Sequence, residues 1–214
     1  VTVSGGSGTI GYQWQESTDN GASWNNINNG GVYSGAATSV LTLTNVTAVM
    51  SGNQYRAVVT GTAVCGIPIN SGAGLLTVNT APAITTQPVA STTLCAGNNT
   101  TYTVVANGTA LTYQWQLSTT GAGGPWTDIS NTGVYSGSAT ASLTITGVVV
   151  GMDTYQYRAV VSGTCTPPAI SNAAVLTVNT PISITTQPVL TINVCATGSA
   201  SLTTIAGGTS PSYQ

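Results

Sequence analysis

The chain has 214 residues, 41% hydrophobic and only 3% charged; two arginines and four acids give a net charge of −2, and there is no histidine. Neutralising phosphates takes clustered cations, and Arg56 and Arg158 stand alone, so neither nucleic acid nor an anionic membrane surface is an expected partner. Four scattered carboxylates without Lys or His lack the parts for acid–base catalysis or an activated serine, and no apolar run approaches the roughly 20 residues of a membrane helix: no enzyme, no cofactor and no membrane insertion of this segment are expected.

Thr and Val alternate with Gly-, Asn- and Ser-rich gaps, and no stretch has helical periodicity, so the chain reads as all-β. In chain order, Val3 falls in a strand that already runs at the start. The next strand holds YQWQ at 12–15, with Trp14 turned inward. Residues 17–24 then form a turn, Ser17-Thr-Asp19-Asn-Gly21-Ala-Ser-Trp24. VYSG follows at 32–35, then Leu41 and Leu43 in the period-2 alternation of a half-buried strand. QYRAVV at 54–59 carries Tyr55 and Ala57, Cys65 lies in the following turn, and LTVNT at 76–80 ends at a proline-containing linker.

The same anchors return in the same order. YQWQ recurs at 113–116, VYSG at 134–137, QYRAVV at 156–161 and LTVNT at 176–180, while ITTQPV occurs at 84–89 and again at 184–189. A fixed period of about a hundred residues is an internal repeat. Its complete copy is predicted to hold seven strands, at 84–89, 101–106, 111–117, 126–129, 142–146, 155–161 and 173–178. The chain therefore divides into a repeat lacking its first strands (1–80), a complete repeat (81–180) and the opening strands of a third (181–214). Linkers this short predict a semi-rigid array.

Asp153-Thr-Tyr155-Gln-Tyr157-Arg-Ala159 resembles the DxxxYxC signature of immunoglobulin domains. The resemblance implies tandem immunoglobulin-like Greek-key β-sandwiches, with Tyr157 and Tyr55 as corner tyrosines whose hydroxyls cap the turn before their strand. Alanine stands where the bridging cysteine would be. The inter-sheet bridge is then replaced by apolar plugs, Val104, Trp115 and Ala159 in the complete repeat and Val3, Trp14 and Ala57 in the first. The wider pattern of anchors is similar to the bacterial Ig-like repeats of large cell-surface adhesins, most of all those of Bacteroidota, many of which leave the cell by type IX secretion. That likeness implies an extracellular, cell-surface location and a structural or adhesive role as stalk or filament. A carbohydrate-binding module of a secreted polysaccharide-processing protein is the alternative.

Cys65, Cys95, Cys165 and Cys195 occupy matching places in successive copies, which points to an oxidising compartment and structural disulfides; free thiols are the other reading. No CxxC spacing or histidine supports a metal site. In the immunoglobulin topology the turn after the first strand and the turn before the last lie at opposite ends of a sandwich, beyond the roughly 7 Å Cα limit for bridging. Inter-domain pairing is therefore expected, Cys195 of one chain with Cys165 of the next and Cys95 with Cys65, against a distorted topology that would join Cys95 to Cys165.

Residues 202–214 match 1–13 at an offset of 201. Two explanations stay open: a window on a longer array, or a subunit that completes its sandwich with a neighbour by strand exchange. The expected partners are neighbouring repeats or head-to-tail copies, with surface glycans a further candidate. Trp24 and Trp126 are the candidate glycan contacts. The turn at 17–24 fits the SxDxGxxW pattern of the Asp-box of sialidases, but two arginines cannot build a carboxylate-binding cluster, and a hairpin is needed there in any case.

Overall fold

The computed structural model describes residues 8–61, 67–121 and 123–214. Apart from two single-turn 3-10 helices, Ala48–Met50 and Val150–Met152, all regular structure is β. The chain separates into two units, Val1–Thr80 and Ala81–Gln214.

The first unit contains β1 (Ile10–Ser17), β2 (Asn25–Asn26), β3 (Tyr33–Ser34), β4 (Thr42–Leu43), β5 (Gln54–Gly61), β6 (Ile69–Asn70) and β7 (Gly74–Leu75). Its larger sheet runs β2-β1-β5-β6, with β7 also on β5, and β3 pairs with β4 opposite it. The β1–β5 ladder is antiparallel and sets Trp14 across from Ala57 and Gln15 across from Arg56.

The second unit contains β8 (Ala83–Thr86), β9 (Ser91–Cys95), β10 (Thr100–Thr103), β11 (Val105–Asn107), β12 (Thr112–Ser118), β13 (Thr127–Asp128), β14 (Tyr135–Ser136), β15 (Ser142–Ile145), β16 (Gln156–Ser162), β17 (Ala169–Ile170), β18 (Ala174–Asn179), β19 (Ser183–Thr186) and β20 (Ile205–Gly207). One sheet runs β13-β12-β16-β18-β9, and facing it are β10-β15-β14 and the β8–β11 pair. Inward side chains of both layers meet in one core that includes Tyr102, Val104, Trp115, Leu143, Ile145, Tyr157, Ala159 and Leu176. This is the two-layer immunoglobulin sandwich, and the all-β, Ig-like expectation holds.

The predicted strands need three corrections. Residues 91–95, expected in the turn after the first strand, form β9, which runs parallel to β18 from Ser91↔Val175 to Cys95↔Asn179. The strand expected at 101–106 is two strands, β10 on β15 and β11 on β8, because the chain passes from one partner to the other at Val104. The short β14 and β17 were not foreseen.

The β19–β20 pair repeats β8–β11 at an offset of 100, register shift included. Gly208 shows why. Its φ is +120°, and an added Cβ would lie 2.8 Å from Ile182 Cα, as one at Gly108 (φ +149°) would lie 3.0 Å from Pro82 Cα. Residues 181–214 thus begin another copy of the same hairpin.

Candidate functional site

The repeated anchors form one structural node in each unit. In the second, Trp115 is fully buried; its indole N–H donates to Thr140 O at 3.0 Å and its backbone N–H to Ser138 O at 2.8 Å. In the first, Trp14 makes the same bonds to Thr38 O and Ala36 O, both at 2.9 Å. The glycine of VYSG is obligatory here. Gly35 and Gly137 have φ of +77° and +76°, and a Cβ would fall 2.1 Å from Val40 O and 2.2 Å from Ser142 O. Thr38 and Thr140 close the turn, each hydroxyl lying within hydrogen-bond distance of the glycine carbonyl and of the carbonyl of residue 40 or 142, to which its single proton can be donated.

Of the expected plugs, Val104, Trp115, Ala159 and Ala57 are buried, Trp14 is only partly buried, and Val3 lies outside the described residues. Each fully buried large side chain contributes about 1.5–3 kcal/mol.

The corner tyrosines need a correction. Tyr157 is fully buried, stacked on Tyr102 with centroids 5.3 Å apart, and its hydroxyl meets that of Tyr135 at 3.3 Å rather than capping the turn. Burial pushes its pKa up. Tyr55 likewise meets Tyr33, at 3.4 Å, and donates to Glu16 Oε1 at 2.9 Å. The corner is closed instead by the residue at the head of the signature. Asp153 Oδ1 accepts the Val178 N–H at 2.8 Å, and Ser51 Oγ accepts the Val78 N–H at 3.1 Å. An acid-to-serine change is tolerated because either oxygen reaches the last strand.

Glu16 was not singled out from the sequence. Its Oε1 accepts from Tyr33 at 2.7 Å, Asn53 Nδ2 at 2.8 Å and Tyr55 at 2.9 Å, in the place Leu117 holds in the second unit. Its position two residues after an inward tryptophan was the available signal.

The outer face of the larger sheet carries a second duplicated arrangement. Arg56 lies 4.2 Å from the centroid of the Trp24 ring, and Arg158 4.2 Å from that of Trp126. Each guanidinium is steered by a glutamine, Arg56 Nε donating to Gln15 Oε1 at 2.9 Å and Arg158 Nε to Gln116 Oε1 at 2.8 Å. Those glutamines donate onward to Asn26 and Asp128. Both candidate contact tryptophans are half-buried, with one ring face covered by a cation.

The Ser17–Trp24 turn is a hydrogen-bonded hairpin. Asp19 accepts from Ser17 Oγ at 2.7 Å and from the Ser23 N–H at 2.8 Å, and Gly21 N–H donates to Ser17 Oγ. These bonds, the Ser23 hydroxyl foremost, hold the Asp19 pKa down to about 2. Cys95, Cys165 and Cys195 are free thiols, Cys65 lies outside the described residues, and no disulfide occurs among the described residues. Cys95 ends β9, whereas Cys165 follows β16 at the other end of the unit. Among the described residues, no three Cys, Asp or Glu side chains gather to hold a metal, and no helix is long and apolar enough to cross a membrane.

The described residues of the first unit leave a cleft of about 590 Å³, lined by Trp14, Leu41, Leu43, Val46, Tyr55, Ser71, Gly72 and Gly74 to Leu76.

Among solved structures, the I-band fragment I67–I69 from titin matches at TM-score 0.61 and 20% identity, covering 85% of this chain. An E-to-A variant of the same three-Ig fragment matches at TM-score 0.60 and 20% identity, covering 83% of this chain. The chain spans 64% and 58% of those fragments, and at this identity the likeness establishes the tandem Ig-like fold alone. No curated protein matches the sequence. The family described as Domain of unknown function (DUF8696) matches residues 1–80 and 84–180, most of the chain and one match per repeat: the chain belongs to that family.

Proposed function

We propose that this chain is a segment of a non-enzymatic, extracellular stalk or filament on a bacterial surface, built of tandem Ig-like repeats and serving a structural or adhesive role. The observation that carries the reading is the duplication of the whole anchoring node: the Trp indole on the threonine carbonyl, the glycine turn beneath it and the Arg–Trp–Gln column outside recur in consecutive units. The duplicated parts are those that hold a sandwich together, and the composition offers few parts for a reactive centre: four carboxylates, two arginines and no Lys or His. Neighbouring repeats and further copies of the chain are the natural partners of such an array. The resemblance to Bacteroidota adhesin repeats supports the surface location, and an oxidising exterior suits the matched cysteines.

The carbohydrate-binding alternative asks Trp24 and Trp126 for open ring faces. The covering arginines weigh against it, and glycan-array binding lost in Trp24→Ala or Trp126→Ala would reinstate it. Immunogold labelling of intact producing cells with antibody to residues 81–180 tests the main reading. Label on fibres outside the envelope is expected, and label confined to the cytoplasm overturns it.

A further inference from the structure

The two cysteines of the complete repeat stand at opposite poles, each beside a linker. Cys95 ends β9 and is the Cα partner of Asn179, the last residue of β18, and Ala96 donates its N–H to Asn179 O at 3.0 Å. Cys165 follows β16. Gly163, two residues before it, sits so close to the opening linker that an added Cβ would lie 3.1 Å from Pro82 Cγ and 2.8 Å from Thr109 O. Thr164 N–H donates to the same Thr109 carbonyl at 3.0 Å. The Val178 N–H is held by Asp153, ahead of β16, so the whole of that seven-residue strand, about 23 Å at about 3.3 Å per residue, lies between the two levels. Disulfide geometry needs Cα atoms within about 7 Å, and the two thiols cannot meet within one repeat.

The linker to the following repeat brings the two kinds of pole together. Thr180, next after Asn179, donates its N–H to Thr209 Oγ1 at 2.8 Å, and Thr209 N–H donates back to Thr180 O at 3.1 Å. Thr209 is the counterpart, at an offset of 100, of Thr109, the residue on which the turn before Cys165 rests. The turn that holds the Cys165 position in the repeat opening at 181 therefore rests on Thr209, one linker residue from the strand end that Cys95 flanks. Cys95 is exposed and Cys165 half-exposed, so neither is a core thiol.

We propose that Cys95 forms a disulfide with the cysteine at the Cys165 position of the following repeat, and Cys165 with the cysteine at the Cys95 position of the preceding one, so that every linker of the array is spanned by a second covalent connection. Two thiols lose two protons and two electrons as the S–S bond forms, and a protein or small-molecule disulfide of the oxidising exterior is reduced to two thiols by exchange. The proposal deepens the stalk reading and rests on it. In such an array the shortest covalent path advances two repeats for every thirty residues, those from Cys165 to Cys195, at most about 100 Å of extended chain. Tension on the stalk then passes through the staples and cannot draw out a whole repeat.

The test uses the native protein, extracted with free thiols blocked by alkylation. Pepsin digestion at acid pH, where thiolate is scarce and disulfides do not exchange, should leave the Cys95 peptide linked to a peptide from the turn that follows the QYRAVV-type strand of the next repeat. Cys95→Ser, at an exposed position outside the core, should leave the fold intact and make one further cysteine, in that next repeat, open to alkylation. Single molecules pulled without reductant should show no steps of about 300 Å, the length that a whole unfolded repeat releases, and such steps should appear after reduction. An alkylated Cys95, a bond between Cys95 and Cys165 of one repeat, or whole-repeat steps before reduction would each overturn the staple. The stalk reading fails separately, on cytoplasmic location; free thiols on an extracellular fibre would remove the staple alone.

Discussion

Two residues that the repeat makes equivalent, Trp14 and Trp115, make the same two hydrogen bonds to the same turn, yet Trp115 is fully buried and Trp14 lines an open cleft. Trp115 is covered by Tyr102 and Val104 from the facing sheet, whose matching positions in the first unit, 1 and 3, lie outside the described residues. Around Trp14 the described core residues are Ile27, Ala36 and Tyr55 with partly buried neighbours. The hydrogen bonding, by contrast, is the same in both units, because it is set by the signature itself.

The node can be broken by mutation. Trp115→Ala should cost the second unit about 3–5 kcal/mol, read from the denaturant midpoint, and a loss below about 1 kcal/mol would contradict its full burial. Gly35→Ala and Gly137→Ala should by contrast act alike, each destabilising its unit by at least about 2 kcal/mol, because the positive φ and the carbonyl contact are the same in both. A large difference between them would show that the turns depend on the surrounding core after all.

Smaller effects sharpen the comparison. Glu16→Leu installs the second unit's residue but leaves Tyr33, Tyr55 and Asn53 without their acceptor, and should destabilise the first unit by about 1–3 kcal/mol, where simple repeat averaging would forecast a gain. The smallest effect belongs to Asp19, whose counterpart is Thr120. A carboxylate whose pKa is lowered from 3.8 to about 2 by folding adds stability that is complete above pH 4 and is lost as pH falls toward 2. The first unit should lose stability over that window, Asp19→Ala should remove that contribution, and an NMR titration should place the Asp19 midpoint near 2.

The repeat, the sandwich class and most inner positions were legible because they rest on period-2 alternation and recurring strings. Leu143 and Ile145 announce an inward face, and YQWQ places an inward tryptophan. β9 was not legible: Ser91, Thr92 and Thr93 look like turn chemistry, and only pairing with a strand some 84 residues away makes them a strand. The tyrosine hydroxyls depart from the signature for a related reason. The immunoglobulin signature assigns them to the corner, but Asp153 and Ser51 already satisfy the last strand, and an inward Tyr135 or Tyr33 offers each hydroxyl a partner across the core. Glu16 was hidden because a carboxylate on an inward position is intelligible only once three donors converge on it.

Both units are built on the same anchoring node, and residue-resolved amide hydrogen exchange tests this most directly at Trp14 and Trp115, whose backbone N–H groups donate to Ala36 O at 2.9 Å and to Ser138 O at 2.8 Å. Both amides should exchange far more slowly than those of the exposed turns in their own units. Exchange of either one at the rate of an open chain would contradict the account.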